Sequence, residues 1–372
     1  NSSVIGIPVS GNTSDCIQWR DTIYARHKSL SYRLKAGHAK RAKATTFIAA
    51  NHWLRSITDS LKLGSTGLFC DSSDEDLVNY AEEKATGLEK KIREIAAFKT
   101  ISLTELSDYL AGQCTSAGCV YSLKGEPDAD KIKSAIKRVV DPKWWRRQLR
   151  TVAARQLEQA SRSLGLVSVS SQIYCSDFTL RRRTEQKRRN RLLLESLEAE
   201  NSAGQVYTLA QLSDLSVSNP INRRNELMAR ISGCEEYAKQ NKHEQRDPYM
   251  GIFVTLTTPS RHHPMTVKTS TGKGKRYAFA NRKYQGSTPR EANDYLNVVW
   301  ANTRAQWDRD GIHPFGFRMV EPHHDGTPHW HAILFLPKSQ VKSATKTLSD
   351  YSLRVDGDEY GAKKNRLKVI PI

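Results

Sequence analysis

Apolar side chains recur at helical spacing through the first two thirds of the chain. From Asp74 to Ala97, Leu77, Tyr80, Ala81, Ala85 and Leu88 line one face of a predicted helix. Asp128 to Val140 reads as a second helix, stopped at Asp141-Pro142. Lys143 to Leu164 reads as a third and Leu180 to Glu200 as a fourth. Asn219 and Pro220 suit the N-cap and first helical position of a fifth, which continues through Leu227, Ile231 and Tyr237. Asn241 to Tyr249 is polar and reads as a linker.

After the linker the period changes. Gly251 to Thr258 is β-branched and apolar, stops at Pro259, and is predicted to be a strand. Arg261 to Gly286 reads as a long polar loop. Thr288-Pro289-Arg290-Glu291 is a capping box with proline inside it, so a helix starts there. Its apolar face comprises Ala292, Leu296, Val299, Trp300 and Trp307. Phe315 to Glu321 and His329 to Leu336 read as strands around an Asp325-Gly326 turn, and Ser339 to Tyr351 as a short helix. The fold class is therefore α+β, with a mainly helical N-terminal region followed by an antiparallel sheet flanked by helices. Three regions are expected: 1–140, helical with no assigned role; 141–245, basic and helical; and 246–372, the α+β domain.

Charge narrows the partners. The 372 residues carry a net charge of +19, which favours phosphate. No apolar run reaches the ~18 residues of a membrane span, and the N-terminus has no signal-peptide pattern. The six cysteines form no CxxC pair, which suits a reducing compartment. Nucleic acid is thus the expected partner, and no membrane is. The DNA-contacting candidates are Arg146, Arg147, Arg150, Arg181, Arg182, Arg183, Lys187, Arg188 and Arg189 on helices, with Lys273, Lys275 and Arg276 in the long loop. Trp144 and Trp145 are candidates for stacking on bases or for the core.

The chemistry concentrates in Glu321-Pro-His-His-Asp-Gly-Thr-Pro-His-Trp-His331. Side chains alternate along a strand, so His329 and His331 share a face and Trp330 takes the other. The turn brings Glu321 back alongside, on the same face if the register holds; a slip of one residue would turn it away. Two imidazoles and a carboxylate are a donor set for a divalent metal; the competing reading is two histidines on a half-buried strand. His323 and His324 at the turn are candidates to support the metal or touch phosphate, or are simply solvated.

This hairpin resembles the His-hydrophobe-His motif of the HUH endonucleases, the rolling-circle initiators and relaxases. More closely, Glu321 to His331 resembles the signature of the replication gene A proteins of temperate tailed phages, and Phe253-Val-Thr-Leu-Thr-Thr-Pro-Ser260 resembles their first motif. The likeness extends upstream through Trp144-Trp145, Glu185 to Arg189 and Asn219 to Ile231. It implies an HUH endonuclease domain that holds Mg²⁺ or Mn²⁺ on Glu321, His329 and His331 and nicks single-stranded or unwound origin DNA. The break would leave a 5′-phosphotyrosine link and a free 3′-OH. It further implies a phage- or prophage-encoded protein working in the bacterial cytoplasm, with a host replicative helicase as partner. A non-catalytic origin-binding module, or a relaxase or transposase of the same superfamily, is the alternative. In the family the attacking tyrosine has a Tyr-x-x-x-Tyr or Tyr-x-x-x-Lys pattern on a helix after the hairpin, which here is expected beyond Ile372. Tyr360, with Lys364 four residues on, is a weaker candidate, because Asp356 to Gly361 reads as a turn.

Overall fold

A computed structural model describes residues 11–98, 101–121, 128–244, 247–270 and 274–372. Lys273, one of the loop cations, lies outside the described residues. The chain divides into two compact units, Asn1–Leu164 and Gly165–Ile372.

Among the described residues the first unit is helical: α1 (Ser14–Arg26), α2 (Ser31–Ala44), α3 (Phe47–Ser60), α4 (Asp74–Phe98), α5 (Leu103–Ser116), α6 (Ala129–Val139) and α7 (Pro142–Ser163). Helix α7 packs on α4 through the face carrying Trp145 and Leu149, both fully buried. The Trp145 indole N–H donates to Val139 O at 2.7 Å, so this tryptophan is core and is not available to stack on a base. With α7 in the first unit, the observed division falls at Leu164/Gly165. No described helix is long and apolar enough to cross a membrane.

The second unit opens with α8 (Asp177–Glu195), β1 (Glu198–Glu200), β2 (Val206–Thr208), α9 (Leu209–Leu215) and α10 (Pro220–Glu244). Helix α8 ends five residues before the predicted Glu200, because Glu198–Glu200 pairs with Val206–Thr208 as a strand. The Asn201 side chain accepts from the N–H groups of Ala203 and Gln205, and Gly204 takes φ 77°, which closes β1 on β2. Asn219 caps α10 by accepting from Ile221 N–H at 3.0 Å, as the sequence predicts. The helix reaches Glu244, so the first four residues of the expected linker are helix.

The rest is β3 (Tyr249–Thr257), β4 (Met265–Thr269), β5 (Arg276–Ala280), α11 (Pro289–Arg309), β6 (Phe315–Pro322), β7 (Pro328–Pro337), α12 (Val341–Ser352), α13 (Ala362–Asn365) and β8 (Leu367–Pro371). Strands order β6-β7-β3-β8 in one antiparallel sheet. Ile252, Val254, Leu256, Trp330, Ala332, Leu334 and Leu336 form its buried face, against Leu296, Val299 and Trp307 of α11 and Ala344 and Leu348 of α12. Trp330 is only 2% exposed and its indole N–H donates to Asn293, so truncating it would cost about 3–5 kcal/mol. On the opposite face Tyr237 of α10 packs edge-on to Phe315 and near Tyr249, at the end remote from His329. The expected long loop 261–286 contains the β4–β5 hairpin. Its residues are largely exposed on both faces, so no apolar alternation marked it.

Candidate metal centre

Register decides whether the hairpin can hold a metal, and it does so directly: Glu321 pairs with His329 and Met319 with His331. Glu321, His329 and His331 therefore lie on one face, the face not covered by α11 and α12. Each offers a ligand atom within 4.8 Å of the others. The two Nε2 atoms are 2.9 Å apart, and His331 Nε2 lies 3.5 Å from Glu321 Oε2. Two imidazole nitrogens at that distance share at most one hydrogen, or turn both lone pairs toward a cation. His329 Nδ1 is buried with no hydrogen-bond partner, and burial, then His331, push its imidazole pKa down, favouring the neutral form that ligates. Glu321 keeps about half its side chain exposed (52%), so the centre opens to the outside.

Neighbouring strands hold His331. Thr255 stands opposite it on β3, with its hydroxyl 3.0 Å from His331 Nδ1. With Nδ1–H donating to that oxygen, Nε2 is left with its lone pair toward Glu321 and His329. Phe253 stacks on the His331 ring at 5.2 Å and 21°. Lys368 of β8 pairs with Thr255, which places it in the same cross-sheet row. Thr255 and Lys368 escape sequence reasoning because their positions depend on non-local strand pairing.

The turn below the centre has its own anchor. Asp325 is fully buried, accepts from Thr327 N–H at 3.0 Å, and pairs with His263 Nδ1 at 3.0 Å. Burial alone would raise its carboxyl, but the His263 contact and the Thr327 N–H outweigh it and hold the group well below the usual carboxylate range. His263, His323 and Asp325 also bring a ligand atom each within 4.8 Å of one another. Both His263 nitrogens are engaged, one by Asp325 and the other by Thr258 at 3.1 Å, so this group reads as scaffold. His323 and His324 are half-buried, with ring centroids 4.0 Å apart, not solvated turn residues. Burial, reinforced by His324 and His263, pushes His323 down to about 3.

The basic candidates scatter. Arg146, Arg147 and Arg150 belong to the first unit, and Arg150 is paired with Asp74 at 2.7 Å, so that guanidinium already has a carboxylate. Arg181, Arg182, Arg183, Lys187, Arg188 and Arg189 lie on α8, which buries no residue; Arg188 is paired with Glu185. Lys275 and Arg276 are exposed at the β4–β5 hairpin. Tyr360 is fully exposed in the turn before α13, not on a helix.

An antiparallel sheet backed by two helices, with two imidazoles and a carboxylate converging on its open face, defines an α+β protein with a divalent-metal donor set. The model of the bacteriophage replication gene A protein (GPA) family matches residues 76–372, and the chain belongs to that family. It is 37% identical over 235 residues to the replication gene A protein of Escherichia phage 186, covering 63% of this chain and 32% of that one. It is 36% identical over 250 residues to the probable replication protein P12 of Pseudoalteromonas phage PM2, covering 65% and 35%. A probable replication endonuclease from a prophage-like region of Salmonella paratyphi A is 32% identical over 231 residues, covering 62% and 27%. The chain thus spans about a third of the length of these relatives. No solved structure matches it.

Proposed function

We propose that residues 246–372 form an HUH-type nickase domain that cuts single-stranded or unwound origin DNA to start rolling-circle replication. The observation that carries this reading is the convergence of Glu321, His329 and His331 on the open sheet face, beside a buried, unpartnered His329 Nδ1. Relatives whose names include replication endonuclease support the substrate class. The three residues would hold Mg²⁺ or Mn²⁺, which when bound supplies Lewis-acid polarisation of a non-bridging phosphate oxygen. With His331 Nδ1–H donating to Thr255, the Nε2 lone pair would be on the open side, and Phe253 stacks on the ring. The exposed side of Glu321 leaves room for the phosphate to approach. A tyrosine oxygen then attacks phosphorus, the bond to the 3′ oxygen breaks, and the 3′-OH leaves free to prime synthesis. That tyrosine is proposed to lie on a segment after Ile372. Helices α7 and α8 are proposed to contact backbone phosphates, and a host replicative helicase is the proposed partner.

The test is a covalent-adduct assay with labelled single-stranded origin DNA and Mn²⁺, using this chain and a version extended to the next tyrosine-bearing helix. An adduct only with the extended protein, lost in His331→Ala, is the expected result. An adduct with the 372-residue chain would move the nucleophile inside it. No adduct from either protein, with DNA still bound, would replace the nickase by an origin-binding module.

A further inference from the structure

Beside the metal centre, wholly within the second unit, lies an open cleft of about 320 Å³. Thr257 in its wall pairs with His329, and His323 in its wall lies edge-on to His329 with centroids 5.6 Å apart. That volume sits at the lower end of the roughly 300–1,000 Å³ typical of small-ligand sites. It accommodates a single nucleotide and excludes a duplex.

The lining has the mixed character that a nucleotide needs. Met265, Val267 and Ala362 supply apolar surface. Tyr360 contributes an aromatic ring that the fold itself does not use, since the residue is fully exposed. Arg276 and Lys283 supply positive charge; the Arg276 charge is felt at His324, and Lys283 Nζ is 3.8 Å from Glu359. Glu359 is the acid in the lining, where it accepts through Oε1 from Ser260 N–H at 3.0 Å and from buried Arg366 at 2.8 Å, against the three cations Arg276, Lys283 and Arg366. The cleft therefore keeps a cationic side. His323 Nδ1 and His324 Nε2 are buried without a hydrogen-bond partner among the described residues, and both residues line it.

We propose that this cleft seats one unstacked nucleotide of the single DNA strand, with its base against Tyr360 and the Met265–Val267 surface and its phosphate beside Arg276 and Lys283. Such seating fixes which phosphate reaches the metal centre, so the cleft sets where along the strand the cut falls. The proposal rests on reading the triad as a strand-cutting site, and it gives Tyr360 a stacking role instead of a nucleophilic one. Aromatic rings stack on any base, and the flanking charges read only backbone.

The test uses the full chain and a single strand substituted with 5-iododeoxyuridine, irradiated and mapped by peptide mass spectrometry. Cross-linking to the peptide bearing Tyr360 is expected. Affinity for the same strand should fall about ten-fold in Tyr360→Ala, stay level in Tyr360→Phe, and fall in Arg276→Ala. Because Tyr360 is fully exposed, its variants should melt as the parent does, and a melt checks this. Cross-links confined to other peptides, or a Tyr360→Ala chain that binds as tightly as the parent, would overturn the proposal. Equal losses in Tyr360→Phe and Tyr360→Ala would also overturn it, by assigning the effect to the hydroxyl. His331→Ala separates the two readings. If its cross-link persists while the extended protein fails to nick DNA, the cleft stands and the nickase falls. If the extended protein nicks DNA without a Tyr360 cross-link, the reverse holds.

Discussion

Thr255 touches no substrate in the proposed reaction, yet it governs how His331 can ligate. Its hydroxyl oxygen is 3.0 Å from Nδ1, so with Nδ1–H donating to it the opposite nitrogen is the one that would face a metal. Thr255→Val keeps the shape and removes the acceptor. Mn²⁺ affinity by isothermal titration should weaken by about 10- to 100-fold, with little change in melting. Unaltered affinity would mean that Thr255 does not set the tautomer. At this scale the sequence is informative only where partners are close along the chain. Glu321, His329 and His331 could be read from alternation and one turn. Asp325 could be read as a turn residue but not as a buried anchor, because His263 reaches it from 62 positions away. Trp145 could be read as a stacking or a core residue, and only its partner Val139 settles it as core; the Arg150 pairing with Asp74 could not be read from the sequence at all.

Strand β6 carries Glu321 at one end and Gly316 near the other. Gly316 has φ 145°, and a Cβ there would lie 1.9 Å from Ile333 O. A side chain at this point must push β6 off β7, the strand with which Glu321 is registered. Gly316→Ala should therefore destabilise the protein by more than about 1 kcal/mol in urea melts and weaken Mn²⁺ binding, although it sits well away from the ligands. A variant with full stability would show that β6 does not approach β7 this closely. Elements with local punctuation are the legible ones: the Thr288–Glu291 capping box forms as read, with Glu291 N–H donating to Thr288 Oγ1 at 3.2 Å. Elements defined by distant pairing are not. Strand β8 is five residues long and owes its place to β3, and β4 and β5 are too exposed to show which face is inner.

Across the whole molecule the two units divide the basic surface, with α7 in the first and α8 in the second. Helix α8 buries none of its residues, which leaves Arg181, Arg183 and Arg189 exposed, and their proposed role is to contact phosphate. Arg181→Ala, Arg183→Ala and Arg189→Ala combined should flatten the log–log salt dependence of single-strand binding by roughly 2, at about 0.7 per lost phosphate contact, without moving the melting temperature. An unchanged slope would remove α8 from the interface. The α+β class and the helical first region are legible at this scale, because helical and strand periods occupy different stretches; the boundary at Leu164 is not, since Trp145 looks the same in either unit.

The three proposed metal ligands all come from residues 321–331, whereas the walls of the neighbouring cleft are gathered from residues 257–366. The order in which the chain assembles follows from that difference. A hairpin closes in about 1–10 μs, while joining segments far apart in sequence carries a larger loop-closure entropy. In pulsed hydrogen exchange during refolding, amides of β6 and β7 should gain protection before those of residues 260–284; simultaneous protection would mean that the two form as one unit. A nascent or partly unfolded molecule would then capture its cation before it could seat a strand. The proposed cutting would thus wait on the slowest-forming part of the domain.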